Sequence, residues 1–507
     1  MTIKETGMRK VIVLCAVALA IPAFAKIEMG APFADGVVLQ RGCAVPVWGW
    51  ATPNASVTVS FAGEKAVTTA RADGSWRLSL PVMEPSKEGR TMTVTEATSG
   101  WIFDDVTDAV EVKDVLVGEV WFASGQSNMD FAIWNSHARY RDFAGGLVTE
   151  MTCLPCVRFV KTPKTWSVEP KRLSAKWMKM IPETFRRGQQ VSAVAYYYAR
   201  ELYLALDVPI GIIDSSWGGT NIDAWTPRCG YADCDPSIAG TAAYAVKKDW
   251  NEEADKKYPI TGAHQQPTVL FNAMVDAFAP MAMKGFIWYQ GCNNAKESQF
   301  YCAKMHALYN GWSRKFENPG LKLYFVQLAP YASSWTGIVE QQNKFVAEEP
   351  NAAVAVAADI GNFNDIHPNR KEAVAKRLAV HALKRDYGFD ITEDDSPVFD
   401  SFTVEGDKMT VRFRHAKKLY LYSPDYKMTA PFELAGTNGV WKAATIENVR
   451  VMNPKNNWRS GDIEGGFLVL KAEGVAEPKA VRYMYQPHVM STVYNEVSLP
   501  LGAFEAK

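Results

Sequence analysis

The chain carries no excess of charge: 55 Lys and Arg balance 55 Asp and Glu over 507 residues. No basic stripe or acidic tail breaks that balance, so nucleic acid is not an expected partner. Histidine is scarce, with 7 in the whole chain. The histidines do not cluster, and "CLPC" at 153–156 has no second CxxC to pair with, so no metal site is expected. Internal repeats and low-complexity tracts are also missing. After one apolar run near the N-terminus no second candidate follows, and no stable membrane span is expected.

That run has the parts of an export signal. "MRK" at 8–10 is basic, "VIVLCAVALAIPA" is apolar and "AFA" at 23–25 is a small-residue cleavage site. Residues 1–25 are therefore expected to be a signal peptide, which places the mature protein in a bacterial periplasm or outside the cell. Of 8 cysteines, Cys15 falls inside this segment; Cys43, Cys153, Cys156, Cys229, Cys234, Cys292 and Cys302 remain, an odd number. "CLPC" and "CGYADC" (229–234) each have the spacing for a local disulfide in an oxidising compartment.

The mature chain reads in three parts. Residues 26–112 hold short alternating strands such as "VPVWGWA", "ASVTVSFAG" and "SWRLSLP", punctuated by turns at the spacing of a β-sandwich. Residues 393–507 repeat that texture in "KMTVRFR", "KKLYLYS" and "GFLVLKA". The middle, 113–392, alternates unbroken apolar runs with helical periods, as in "AVAYYYARELYLAL" (193–206) followed by "VPIGIIDSSWGG". Such alternation predicts a parallel sheet covered on both faces, with ligands bound beyond the carboxyl ends of its strands.

Four polar turns follow four apolar strands there: "SGQSNM" (124–129), "SSWGGTN" (215–221), "WYQGCNN" (288–294) and "DIGNFNDIHP" (359–368). They bring Ser127, two adjacent glycines, several amides, and His367 with Asp365 two residues before it. A serine hydroxyl becomes a useful nucleophile when a histidine takes its proton and a carboxylate fixes that histidine's tautomer. Glycines let backbone N–H groups approach a developing oxyanion. Asp359, at a strand end, is the rival carboxylate. Trp217, Trp225, Trp288 and Tyr289 stand near these turns and are candidates for core packing or for a sugar subsite.

The four blocks in this order resemble the SGNH hydrolase superfamily, and more closely the sialate O-acetylesterase-like carbohydrate esterases. The likeness runs from about residue 28 to the C-terminus through "PFADGVVLQRGCAVPVWGWA", "PTVLFNAMV", "VQLAP" and "GTNGVWKAATIENVRV". It implies a flavodoxin-like α/β catalytic domain flanked by N- and C-terminal β-sandwich-type domains. It further implies a serine esterase that removes O-acetyl groups from sialic acids without a cofactor. An acetylxylan or other hemicellulose acetylesterase is the alternative within the class. A carbohydrate-binding protein with a decayed site is the alternative outside it. Carried over position by position, Ser127 is the nucleophile, His367 the general base and Asp365 its orienting carboxylate. Gly219 supplies an oxyanion N–H, and Gln290 or Asn294 a side-chain donor. The third block departs from the family pattern: the usual glutamate is Cys292.

Overall fold

The computed structural model describes residues 27–98, 106–133, 135, 153–181, 184, 191–232, 260–333, 335–422, 430–452 and 460–507. The expected signal peptide and Cys234 lie outside them.

The centre is a sheet of mainly parallel strands. We label its members β1 (Val106–Gly125), β2 (Leu154–Lys161), β3 (Met178–Met180), β4 (Ile210–Ser216), β5 (Gly285–Tyr289), β6 (Lys322–Val326) and β7 (Ala352–Ala355). Their spatial order is β3-β2-β4-β1-β5-β6-β7, and only β3 is antiparallel to its neighbour. Every residue of β4 and β5 is buried, as strands covered on both faces must be. The covering helices include α1 (Ser127–Asp130), α2 (Ala193–Leu206), α3 (Tyr301–Lys315), α4 (Thr336–Glu348) and α5 (Lys371–Tyr387). α2 coincides with the periodic run read from the sequence. Ser192 caps it by accepting from the Ala195 N–H at 3.2 Å.

The N-terminal strands form two groups. Glu28–Met29, Val45–Trp50 and Ser75–Leu80 make one small antiparallel sheet. Ser56–Phe61, Glu64–Thr69 and Ser86–Thr98 make the other, which joins the first half of β1. β1 therefore belongs to both regions: its start pairs with Ser86–Thr98 and its end with β4 and β5. The changeover is marked by Asp114 at φ +55° and by a register shift opposite it. One hydrophobic cluster runs unbroken from Val45, Val57 and Trp76 to Trp121, Trp288 and Leu378.

The C-terminal part is β-rich, with a seven-stranded and a four-stranded sheet, both antiparallel. It has its own cluster around Leu419, Phe432, Leu470 and Tyr483. A charged knot ties its lead-in to α5. Asp394 accepts from Arg385 at 2.5 Å, lies 2.9 Å from Lys384 and faces His381 Nδ1 at 3.0 Å. Burial would raise the Asp394 pKa, but hydrogen bonds from His381 and Lys384 and the charge of Arg385 hold it well below the usual carboxylate range. Asp394→Ala is expected to cost about 1.5–3 kcal/mol, because it removes a buried carboxylate that half-buried Lys384 and Arg385 share. A group with a depressed folded pKa stabilises above its unfolded pKa of about 4 and loses that effect as pH falls through the folded value. Thermal unfolding from pH 7 downward should therefore show the gap between wild type and Asp394→Ala closing in acid.

"CLPC" does not close a disulfide: Cys153 and Cys156 are both free thiols. Cys156 lies in β2, where extended backbone separates residues three apart by about 10 Å. That exceeds the Cα reach of a disulfide.

Candidate active site

The site forms where three strands end level. Gly125 at the end of β1 lies in register with Ser216 of β4 on one side and Tyr289 of β5 on the other. Strands β4-β1-β5-β6-β7 follow the chain order 2-1-3-4-5, so the switch point falls between β1 and β5. Gly125 is required at this point. Its φ is +137°, and a Cβ there would sit 2.3 Å from the Tyr289 carbonyl oxygen.

Ser127 opens the single turn of α1, half-buried between the buried Gln126 and Asn128. Gly218 lies directly against it; a Cβ on Gly218 would meet the Ser127 Cβ at 3.4 Å. Gly219 follows at φ +73°, with open space where a Cβ would stand. α1 is fixed from below by ions the sequence did not advertise. Lys161 Nζ donates to Asp130 of α1 at 3.0 Å, to Asp214 at 3.0 Å and to Ser216 at 3.1 Å. Asp214 in turn accepts the Ser192 N–H at the start of α2 at 3.1 Å.

His367 arrives from the turn between β7 and α5. Asp365 Oδ1 accepts the His367 backbone N–H at 2.9 Å and lies 3.3 Å from its Nδ1. The ring stacks on Phe131, at 6.2 Å between centroids. Asn128 Nδ2 donates to the Ile366 carbonyl at 3.1 Å, which joins the Ser127 turn to the His367 turn. Lys371, fully buried, donates to Asn128 Oδ1, and its ammonium lies over the rings of Phe131 and Tyr289 at 4.9 and 5.1 Å. Asp359 is occupied elsewhere: both its oxygens take the Arg377 guanidinium at 2.7 and 2.8 Å. Pro368 stands ahead of α5, which begins at Lys371, so it does not serve in that helix's first turn.

In the third turn, Gln290 and Asn294 are both fully buried. Gln290 Nε2 donates to the Thr220 carbonyl at 3.0 Å and to Asn294 Oδ1 at 2.7 Å, and its Oε1 accepts from the Tyr301 hydroxyl at 2.7 Å. Both its amide hydrogens are thus used within the protein, and Gln290 braces the turn where the sequence suggested an oxyanion donor. Asn294 donates one hydrogen to Glu297 at 2.6 Å and accepts the Ile222 N–H at 3.0 Å. Gln126 Oε1 receives the N–H groups of Gly291 and Asn293 at 3.2 and 3.4 Å, holding this turn to the Ser127 turn. Trp225, Trp288 and Tyr289 are core residues, fully buried. Trp217 is half-buried and stacks on His264, with ring centroids 4.9 Å apart and planes 10° apart. Among the described residues, no group of three metal-ligating side chains includes Asp365 or His367.

Cys292 is half-buried next to this site, and desolvation pushes its pKa up to about 12 against the pull of Lys371. The thiol therefore stays protonated at neutral pH, which disfavours a nucleophilic role. Cys292→Ser is expected to hold kcat within about threefold, since it swaps one small neutral group for another. Iodoacetamide at pH 7.5 should leave initial rates unchanged; rapid inactivation that Cys292→Ser prevents would contradict the neutral thiol.

A hydroxyl, an imidazole with its carboxylate, and glycine N–H groups at one sheet edge have the chemistry of a carboxylic ester hydrolase. The family model for "carbohydrate esterase, sialic acid-specific acetylesterase" matches residues 117–384. The chain belongs to that family of carbohydrate esterases. It is 26% identical to the sialate O-acetylesterase of Homo sapiens over 425 residues, 78% of this chain and 77% of the relative. It is 28% identical to that of Rattus norvegicus, over 69% and 72% of the two chains. Among solved structures it is similar to a carbohydrate acetylesterase from Xanthomonas citri. That match has 30% identity and a TM-score of 0.76, and covers 95% of this chain and 99% of the other.

Proposed function

We propose that the chain hydrolyses O-acetyl esters of sialic acids with Ser127 as nucleophile. The observation that carries this is the Asn128–Ile366 hydrogen bond, which sets the turn of Ser127 beside the turn in which Asp365 faces His367 Nδ1. With Nδ1 turned to the carboxylate, Nε2 is the atom that takes the Ser127 proton. Ser127 Oγ then bonds to the acetyl carbon, and the carbonyl electrons move onto oxygen. The N–H groups of Ser127 and Gly219 hold that oxyanion, with the second amide hydrogen of Asn294 as the side-chain donor. Collapse breaks the bond to the sugar oxygen, which takes the proton from His367 and leaves as a hydroxyl, and an acetyl ester remains on Ser127. Water, deprotonated by His367, releases acetate and restores the serine.

The stacked Trp217–His264 pair beside Gly218 and Gly219 is a flat surface suited to a sugar ring. The strand order supports an SGNH-type, flavodoxin-like catalytic domain over 113–392, flanked by sandwich-type domains over 26–112 and 393–507. The described residues contain no helix long and apolar enough to cross a membrane. Residues 1–25 are proposed to direct export.

Acetate release from 9-O-acetyl-N-acetylneuraminic acid and from acetylated xylo-oligosaccharides decides the substrate. A higher kcat/KM on the sialic acid is expected. The reverse ranking would make the enzyme a hemicellulose acetylesterase. Sugar binding with no turnover, even of p-nitrophenyl acetate, would leave a binding protein.

A further inference from the structure

Away from the strand ends, α3 and α4 bring together three side chains that the ester chemistry does not use. Cys302 and His306 are one helical turn apart on α3 and so share a face. Glu348 closes α4 opposite them. The Cys302 Sγ lies 3.5 Å from Glu348 Oε2, and His306 Nε2 lies 2.9 Å from the same oxygen. All three ligand atoms fall within 4.8 Å of one another. We propose that Cys302, His306 and Glu348 form a binding site for a zinc-class divalent cation, with water completing its coordination.

The spacing suits that ion. With bonds of about 2.3 Å to sulfur and about 2.0–2.1 Å to nitrogen and oxygen, tetrahedral zinc holds S and O ligands about 3.5 Å apart and N and O ligands about 3.3 Å apart. The observed pairs need only a few tenths of an ångström of opening between His306 and Glu348. A thiol, an imidazole and one carboxylate favour zinc over magnesium or calcium, which prefer all-oxygen shells. Cys302 is buried, while Glu348 is 44% exposed, so the site has a dry wall and a wet entrance. Binding is balanced by one proton: the Cys302 S–H breaks, the S–Zn bond forms, and the proton passes to water while His306 binds as neutral imidazole.

Two other mixed clusters lack this quality. His381 with Asp394 and Asp395, and Glu393 with Asp395 and His415, have cations already seated. Arg385 lies 2.5 Å from Asp394 and 2.6 Å from Asp395, and Lys384 lies 2.9 Å from Asp394. At Glu348 the neighbouring Lys344 is mostly exposed and lies 3.8 Å from the other oxygen, Oε1. The site also touches the third turn indirectly. Tyr301, next to Cys302, donates its hydroxyl to the Gln290 carbonyl at 3.1 Å as well as to its side chain. A cation clamping α3 to α4 would stiffen the base of that turn.

The test uses the whole chain and zinc chloride, with equilibrium dialysis and metal analysis. One equivalent is expected to bind with a Kd on the order of 1 μM or below, and 100 μM zinc should raise the Tm. His306→Ala and Glu348→Gln should each weaken binding about tenfold or more and abolish the rise in Tm. These two positions are partly exposed, so folding of the variants is not at stake; Cys302→Ser, at a buried site, is a supporting variant. No zinc retained at 100 μM would overturn the proposal. So would binding undiminished in His306→Ala and Glu348→Gln, which would place the metal on other thiols such as Cys153 and Cys156.

Discussion

Ser127→Ala is expected to lower kcat/KM for acetyl ester hydrolysis by about 10⁴- to 10⁶-fold, the scale on which a triad nucleophile is lost. The Tm should stay within about 1 °C, because little of the local structure depends on the hydroxyl. α1 is held by the backbone bond from Asp130 to Gln126, by Asn128 on Ile366 and by Lys161 on Asp130. None of these uses Ser127 Oγ. The loss should therefore be one of chemistry, with sugar binding intact. Acetate release and a thermal melt on the same sample check both halves. A rate within about tenfold of wild type would place the nucleophile elsewhere.

Asp365→Asn and Asp359→Asn should separate rate from stability. An asparagine at 365 can still accept the His367 backbone N–H, so the turn survives. It cannot offset the charge of the imidazolium in the transition state, and turnover should fall about 10²- to 10⁴-fold. Asp359→Asn breaks a bidentate pair with Arg377 on α5, well inside the fold. It should lower the Tm while leaving kcat within about threefold. If Asp359→Asn instead produced the large fall in kcat and Asp365→Asn did not, the orienting carboxylate would be Asp359.

Some parts of this molecule were legible in the sequence because local physics decides them. The α2 run has a helical period and is apolar enough to be buried on every side over its first half, and Asp207 then ends the helix in the left-handed region at φ +54°. β5 is an unbroken apolar run, and β4 begins as one before Asp214, because both faces are covered. The strand ends carry glycine where backbones crowd, as Gly125 at the end of β1 shows.

What escaped reading depends on partners far away in the chain. Lys161 and Lys371 look like solvated lysines, yet Asp130, Asp214 and Ser216 surround the first and Asn128 with two aromatic rings the second. The bond from Asn128 to Ile366 spans 238 positions. Gln290 could be placed at the site by its motif, but its orientation is set by Thr220, Asn294 and Tyr301. Cys302 and His306 meet Glu348 only because α3 packs on α4, so a search for clustered ligands along the sequence passes over them.

β1 also bears on how such a chain can be rearranged by evolution or by an engineer. A polypeptide that enters the catalytic sheet as a rung of the preceding region cannot be cut at residue 112 without leaving Ser86–Thr98 short of its neighbour. The severed sheet would offer open backbone groups to any strand in solution. The N-terminal region is thus not a detachable cassette, and a fusion or truncation that respects the strand must begin ahead of Ile27. The stretch after α5 differs in degree, since most of its apolar residues form a second cluster, although that cluster takes in Val356 and Ala358 from the segment after β7. A module exchanged there would have to cover Val356 and Ala358, while the front of the molecule cannot be parted from the catalytic sheet at a strand the two share.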